Sequence, residues 1–331
     1  MFDFEGMLRN AGREILVVGL NPCLDVSLSI GELRLGMTNY YSSYHEDLGG
    51  KGSNVIRAIH ALGGSGSLFS PDYPDDGSKV MHLMRQEGIR AHLVNLPGHL
   101  RINYKVLDIG DKHEVRMTEL NSRGNEISLP AARLLEREWM RQIEKDQLLV
   151  LSGSIPPGLS DSTYYDLTIA QHQRGGRVVI DAKGDVLRHA LAAKPDHVKP
   201  NREELMEATG MPCDSLEDAV KASFKLREMG ADLVLASLAE DGAILTRGDA
   251  VLYAAAPHNP GIKKLASAGD AMTAVLACFA SRDDDLDDHE LEDVLRFAMA
   301  ASQAAISRDG VGMPPLVDVL KWIDTIEIKT L

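Results

Sequence analysis

The sequence predicts an α/β fold: a body built on a mostly parallel sheet, carrying a small strand-rich insert. Three observations lead there. From Leu148 onward, short apolar runs of strand length alternate with helical stretches, the pattern of a parallel sheet whose ligands lie at the carboxyl ends of its strands. Earlier, segments within Val26 to Asn39 and Leu100 to Leu120 alternate polar and apolar residues as half-exposed strands do. Most of the polar residues singled out below fall at predicted strand ends. A chain of 331 residues is long enough to bury a large core.

Composition narrows the class of function. A hydrophobic share of 44% with 25% charged residues is that of a soluble globular protein. No apolar run approaches a membrane span, and the opening Met-Phe-Asp-Phe-Glu-Gly lacks the basic start of a signal peptide. Cys23, Cys213 and Cys278 show no paired metal spacing and read as reduced thiols, so a cytoplasmic protein is expected. The net charge of −14 argues against nucleic acid or an anionic membrane as partner. An anionic substrate would therefore need a locally built cationic pocket.

In chain order, Ile15 to Leu20 is a buried strand ending at the Asn21-Pro22 turn. Asp25 follows, placed either to bind sugar hydroxyls or simply to close the turn, and Val26 to Ile30 reads as a one-sided strand. In Leu48 to Gly63, Gly49, Gly50 and Gly52 surround Lys51 ahead of a helix, which is an anion-binding loop with a cation in it. The spacing is not that of a Walker A loop. Asn54, in the first turn, either bonds a substrate hydroxyl or caps the helix. Pro71 to Gly77 is a loop before a helix over Ser78 to Glu87. Arg101, Asn103 and Lys105 share one face of a strand, a row that suits a phosphate or a solvated sheet face. His113 to Leu120 reads as the next strand.

Leu148 to Leu151 runs as a strand into Ser152 to Gly158, a helix covers Tyr164 to Arg174, and a strand from Arg177 ends at Asp181. His197-Val198 leads to Lys199, then Asn201 and Glu204, three apart at a helix start. That pair suits a metal-bound water or a helix cap. Asp232 to Ser237 is a strand, followed by a hairpin from Ala243 to Thr246 and Val251 to Ala255. The acidic run Asp283 to Asp288 reads as a solvated loop opening the helix Leu291 to Ile306. His45, His258 and His289 take no role.

Lys264 to Ala280 holds the centre of the reading. Small residues run into Asp270 and a long apolar helix. First-turn N–H groups could hold a phosphoryl group while Asp270 accepts a proton from an attacking hydroxyl. The plainer account makes Asp270 an N-cap, and it stands ahead on this stretch alone.

Together these motifs resemble the PfkB, or ribokinase-like, carbohydrate kinases over roughly Ile15 to Met313. Gly49-Gly-Lys-Gly-Ser-Asn54 matches the first family signature, and Ser267-Ala-Gly-Asp270 stands where the second has Gly-Ala-Gly-Asp. Asn21 to Asp25, Arg101 to Lys105, Thr118 to Asn121, Leu151 to Gly158 and Lys199 to Glu204 are similar to the 1-phosphofructokinase and tagatose-6-phosphate kinase branch. The resemblance implies one ribokinase-like α/β domain over residues 1–331. It has an open, mostly parallel sheet, helices on both faces and a small β lid from about 26–44 and 98–122. It further implies an ATP- and Mg2+-dependent kinase acting on a phosphorylated hexose. Asp270 would be the base, and the amides of Ser267, Ala268, Gly269 and Asp270 the anion hole. Asp25, Gly50, Asn54 and Asn103 would serve the sugar, with Lys51, Arg101 and Lys105 on its phosphate. Lys199, Asn201, Ser237, Ala239 and Gly242 would line the nucleotide, and Asn201 with Glu204 the metal.

Departures cluster on the ATP side: Ser267 and Ala239 stand where the family has glycines, and the loop Leu68 to Gly77 replaces a glycine-rich stretch. They matter only if those positions need positive φ or close ligand approach. The expectation is therefore fructose 1-phosphate phosphorylation, ahead of tagatose 6-phosphate. A sugar-phosphate-binding homologue with an impaired ATP site is the competing class. The exposed lid suggests a homodimer through it.

Overall fold

The computed structural model describes residues 4, 6, 12–109, 115–261, 267–282, 286–308 and 312–331. Among them two sheets stand apart. The larger has ten strands: β1 (Ile15–Val18), β4 (Ser67–Asp72), β5 (Arg90–Asn95), β8 (Leu148–Ser152), β9 (Arg177–Asp181), β10 (His197–Val198), β11 (Leu233–Ser237), β12 (Ala243–Arg247), β13 (Ala250–Ala254) and β14 (Ile328–Thr330). Their order is β14-β13-β12-β11-β10-β9-β8-β1-β4-β5. The seven strands from β11 to β5 are mutually parallel, and β12, β13 and β14 continue antiparallel along one edge.

The central strands read as unbroken apolar runs because both of their faces are covered. Val17, Val150, Val179 and Leu235 are wholly buried. The helices fall into two packing groups. α1 (Lys51–Ala61), α8 (Ala268–Ala280), α9 (Asp288–Ile306) and α10 (Leu316–Ile323) pack together on one face. α2 (Lys79–Gln86) lies on the same face beside α1, where Arg57 pairs with Glu87 at 2.7 Å, and on the other face lie α3 (Leu129–Gln142), α4 (Thr163–His172), α5 (Gly184–Leu191), α6 (Arg202–Thr209) and α7 (Leu216–Glu228), against the strands nearest each. α8 is apolar all round and buried from Asp270 to Ala280, as an internal helix must be. Its alanines allow close packing against α1 and α9.

The second sheet has four strands in the order β3-β2-β6-β7, with β2 at Cys23–Ile30, β3 at Tyr41–Gly49, β6 at Arg101–Ile109 and β7 at Val115–Asn121. Two sequence readings change here. Asp25 lies inside β2, not in a turn, because β3 and β6 pair along its whole length and extend it back to Cys23. β3 went unread because six of its nine residues are exposed and carry no apolar alternation. The predicted strand from His113 starts outside the described residues, as do Lys264 to Ala266 and Asp283 to Asp285. The remainder of the acidic run opens a helix as expected: Asp287 caps α9 reciprocally with Glu290.

Candidate active site

A cleft of about 1200 Å³ runs between the two sheets at the carboxyl ends of the parallel strands, and every candidate residue lines it. α8 enters with its first turn facing the cleft. The N–H groups of Ala268, Gly269 and Asp270 have no acceptor within their own helix. Beneath them lies Lys199, with a side chain 3% exposed, and a Cβ on Gly269 would come within 3.2 Å of its Nζ. A side chain there would press that ammonium aside by a few tenths of an ångström.

Asp270 is buried and accepts a hydrogen bond of 2.8 Å from Asn54 Nδ2 in α1. Burial, reinforced by the charge of Asp181, raises its pKa to about 6, against the pull of Lys51, Asn54 and Lys199. That is the range a base needs near neutral pH. Asn54 Oδ1, by contrast, is a buried acceptor with no donor among the described residues.

Asp181, which the sequence offered only as a strand end, is the electrostatic centre. Fully buried at the end of β9, it accepts from Lys51 Nζ at 2.7 Å and from Thr273 Oγ1 at 2.9 Å, with Lys199 Nζ at 3.9 Å. Burial would push its carboxyl up, but Lys199 and Lys51 outweigh it and hold it below the usual range. Lys51 also donates to Glu204 Oε1 at 3.2 Å. Burial alone would lower the Lys51 ammonium, but the two carboxylates raise it, and it stays charged. A carboxylate closing a predicted parallel strand is the signal that could have found Asp181.

The proposed metal pair is, in the structure, a reciprocal helix cap. Asn201 Oδ1 accepts from the Glu204 N–H at 2.8 Å, and Glu204 Oε2 accepts from the Asn201 N–H at 2.9 Å. The capping account of these residues is thus realised, because both donors belong to the first turn of α6. Among the described residues no group of three or more His, Cys, Asp or Glu side chains could hold a metal ion.

The row on β6 does share one face, and it meets Asp25 on β2. Asn103 Nδ2 donates to Asp25 Oδ1 at 3.1 Å and Lys105 Nζ to Asp25 Oδ2 at 2.9 Å. Arg101 donates to neutral oxygens only: Asn21 O at 3.1 Å, Asn103 Oδ1 at 3.2 Å and Ser122 O at 3.0 Å. Cys23 lies among them, 3.3 Å from Asp25, its thiol raised to about 12 by burial and by Asp25. The three cations expected on one phosphate therefore divide: Lys51 belongs to the Asp181 cluster, Arg101 and Lys105 to the second sheet. Gly50 caps α1 between the two groups.

Ser237 ends β11 and bridges to Asn201, and Ala239 begins a single turn of 3-10 helix closed by Gly242. Ser267 has φ +73° and Ala239 φ +56°. Both hold the left-handed backbone that glycine prefers, so the chain keeps the glycine-type turn despite the side chains.

A family model described as "pfkB family carbohydrate kinase" matches residues 13–317. The 1-phosphofructokinase of Bacillus subtilis (strain 168) is 32% identical over 308 residues, covering 92% of this chain and 97% of its own. The structure of phosphofructokinase-2 from Escherichia coli in complex with potassium superposes with a TM-score of 0.84 at 26% identity, covering 95% of this chain and 98% of that one. Arabidopsis thaliana ribokinase shares the fold, with a TM-score of 0.73 at 21% identity over 94% of this chain and 98% of its own. The chain belongs to the pfkB family of carbohydrate kinases, phosphotransferases whose kinase chemistry implies ATP as donor.

Proposed function

We propose that the protein is a single kinase domain that transfers the γ-phosphoryl group of ATP to fructose 1-phosphate, giving fructose 1,6-bisphosphate. The observation that carries the reading is Asp270, a buried carboxyl with a pKa of about 6 in the first turn of α8. It lies in the same cleft as the Asp25–Asn103–Lys105 group. The relatives named 1-phosphofructokinase support the choice of sugar.

Asp25, Asn103 and the unpartnered Asn54 Oδ1 bind sugar hydroxyls. Asp270 takes the proton of the attacking hydroxyl, whose oxygen bonds to the γ-phosphorus as the bond to the ADP oxygen breaks in line. Asn54 Nδ2 fixes one Asp270 oxygen and leaves the other for the proton. The first-turn amides of α8 stabilise charge on the phosphoryl oxygens. Ser237, Ala239, Gly242 and Asn201 line the nucleotide side. Mg2+ takes one or two carboxylates and completes its shell with phosphates and water; both Glu204 oxygens are engaged, by Lys51 and the Asn201 N–H, so an ion beside Glu204 would be held through one of its waters and the phosphates. Bound there, the ion would neutralise charge between the β- and γ-phosphates.

The alternative of a non-catalytic homologue rested on Ser267 and Ala239, and the positive φ at both is the condition under which those side chains strain their turns, by about 1 kcal/mol each; the retained Asp270 and Gly269 are what favour activity. The homodimer is part of this reading: on the sheet face opposite Asp25, Tyr44, Tyr104 and Leu120 are exposed at 53%, 39% and 58%, an apolar surface that a second copy would cover. The purified chain, assayed with ATP and Mg2+ against fructose 1-phosphate, tagatose 6-phosphate, fructose 6-phosphate, ribose and fructose, should turn over fructose 1-phosphate fastest. Activity confined to an unphosphorylated sugar refutes the assignment.

A further inference from the structure

We infer that Arg123, together with Arg101, is the anchor for the phosphate the sugar already carries, and so a residue that sets specificity for phosphorylated substrates. The inference rests on the reading of the substrate as a sugar phosphate. It comes from how charge is distributed along the cleft.

Most of the cleft's cations are already engaged by carboxylates. Lys51 is held by Asp181 and Glu204, Lys199 lies beside Asp181, and Arg202 pairs with Asp241. Lys105 is bonded to Asp25 at 2.9 Å and sits opposite Glu119 in the β6–β7 register. Two carboxylates around one ammonium leave that position with no net attraction for a phosphate dianion.

The hinge where β7 returns to the body differs. Arg101 bonds only neutral oxygens, and its Nη2 has no acceptor among the described residues. Arg123 lines the same cleft, is exposed, and forms no ion pair or side-chain hydrogen bond among the described residues. The two are tied to one scaffold: Arg101 donates to Asn21 O and to Ser122 O, the residue before Arg123, while Asn21 Nδ2 donates to Arg123 O at 3.0 Å. Asn21 Nδ2 also reaches Ser154 Oγ at 3.0 Å, fixing the hinge to the body. Gly124, next in the chain, has φ +98°, and a Cβ there would meet Asn21 Oδ1 at 2.5 Å, so the turn that presents Arg123 is set by the backbone.

Two arginines tied to one hinge through Asn21 and Ser122, neither in an ion pair among the described residues, match the planar, multidentate recognition that arginine offers a phosphate. Asp25 and Asn103 meanwhile remain available for hydroxyls of the same sugar. Lys105 then orders Asp25 instead of gripping the phosphate.

The test compares wild type with Arg123→Gln and Arg123→Lys, using fructose 1-phosphate as probe, by calorimetric titration without nucleotide and by steady-state kinetics. Arg123→Gln should raise both the Kd and the KM for fructose 1-phosphate about tenfold or more, the scale of a lost charged hydrogen bond. The KM for ATP, kcat and the melting temperature should stay within error of wild type. Arg123→Lys should recover part of the loss, and added salt should weaken wild-type binding more than that of Arg123→Gln. A Kd within twofold of wild type in Arg123→Gln, or an equal rise in the KM for ATP, overturns the inference while leaving the kinase reading intact. A wild-type protein that neither binds nor phosphorylates any sugar phosphate removes the reading and the inference together.

Discussion

At the scale of single residues, Asp270, the base of the proposed reaction, is buried at a cost to the fold. Its folded pKa of about 6 lies above the ordinary 3.8, so its contribution to stability is lost as pH rises through about 6 and the buried carboxylate ionises. Activity should show an acid limb near pH 6 in kcat, and Asn54→Ala, which removes a bond to the ionised form, should move that limb upward. Asp270→Asn should lower turnover by about two to four orders of magnitude and leave sugar-phosphate binding nearly intact. The same variant should melt higher than wild type at pH 8 and by a smaller margin at pH 5, read by scanning calorimetry. Ser267 makes a separate prediction. With φ +73° its Cβ opposes the backbone, and Ser267→Gly should raise unfolding stability by about 1 kcal/mol in urea titrations, with turnover kept or improved.

At the scale of elements, the two sheets divide the labour. The carboxyl ends of β9, β10 and β11 bring Asp181, Lys199 and Ser237 to one wall, and α8 delivers Asp270 among them. The second sheet supplies Asp25 and Asn103 from adjacent strands in register, so neither strand alone builds the proposed sugar site. Its other face is where assembly is expected. Tyr104→Glu with Leu120→Glu should turn a dimer into a monomer by light scattering, because a charge in the centre of an apolar interface is left unpaired. A wild-type chain that already runs as a monomer at micromolar concentration would remove the lid dimer.

At the scale of the whole molecule, acid stability hinges on a residue behind the cleft wall that takes no part in its lining. His197 lies in the middle of the large sheet, fully buried, and neither ring nitrogen has a partner among the described residues. Burial lowers its pKa below the usual 6.5 against the pull of Asp196 and Asp232, with Arg247 acting in the same sense as burial. The folded state therefore keeps it neutral while the unfolded chain protonates, and stability falls as pH drops below about 6.5. Asp270 works the opposite way over part of that range, so the two contributions oppose each other between about pH 4 and 6. His197→Leu should flatten the loss of melting temperature between pH 7 and pH 5. A melting profile as steep as wild type would assign the acid sensitivity elsewhere.

How much of this the sequence shows depends on whether the cause is local. The alternating βαβ pattern, the glycines around Lys51, the helix opening at Asp270 and the shared face of Arg101, Asn103 and Lys105 are legible because each follows from neighbours a few residues apart. The sequence by itself therefore determined the fold class, the family and many of the residues that line the cleft, though not Asp181 or Arg123. Only the tertiary structure decided their pairings. It gave Lys51 to Asp181 across 130 residues, turned Asn201 and Glu204 into a helix cap, and put Ser267 and Ala239 at positive φ. It also left Arg123 without a carboxylate partner beside Arg101. Charge compensation and backbone handedness depend on which groups meet after folding, and a spacing along one chain does not contain that information.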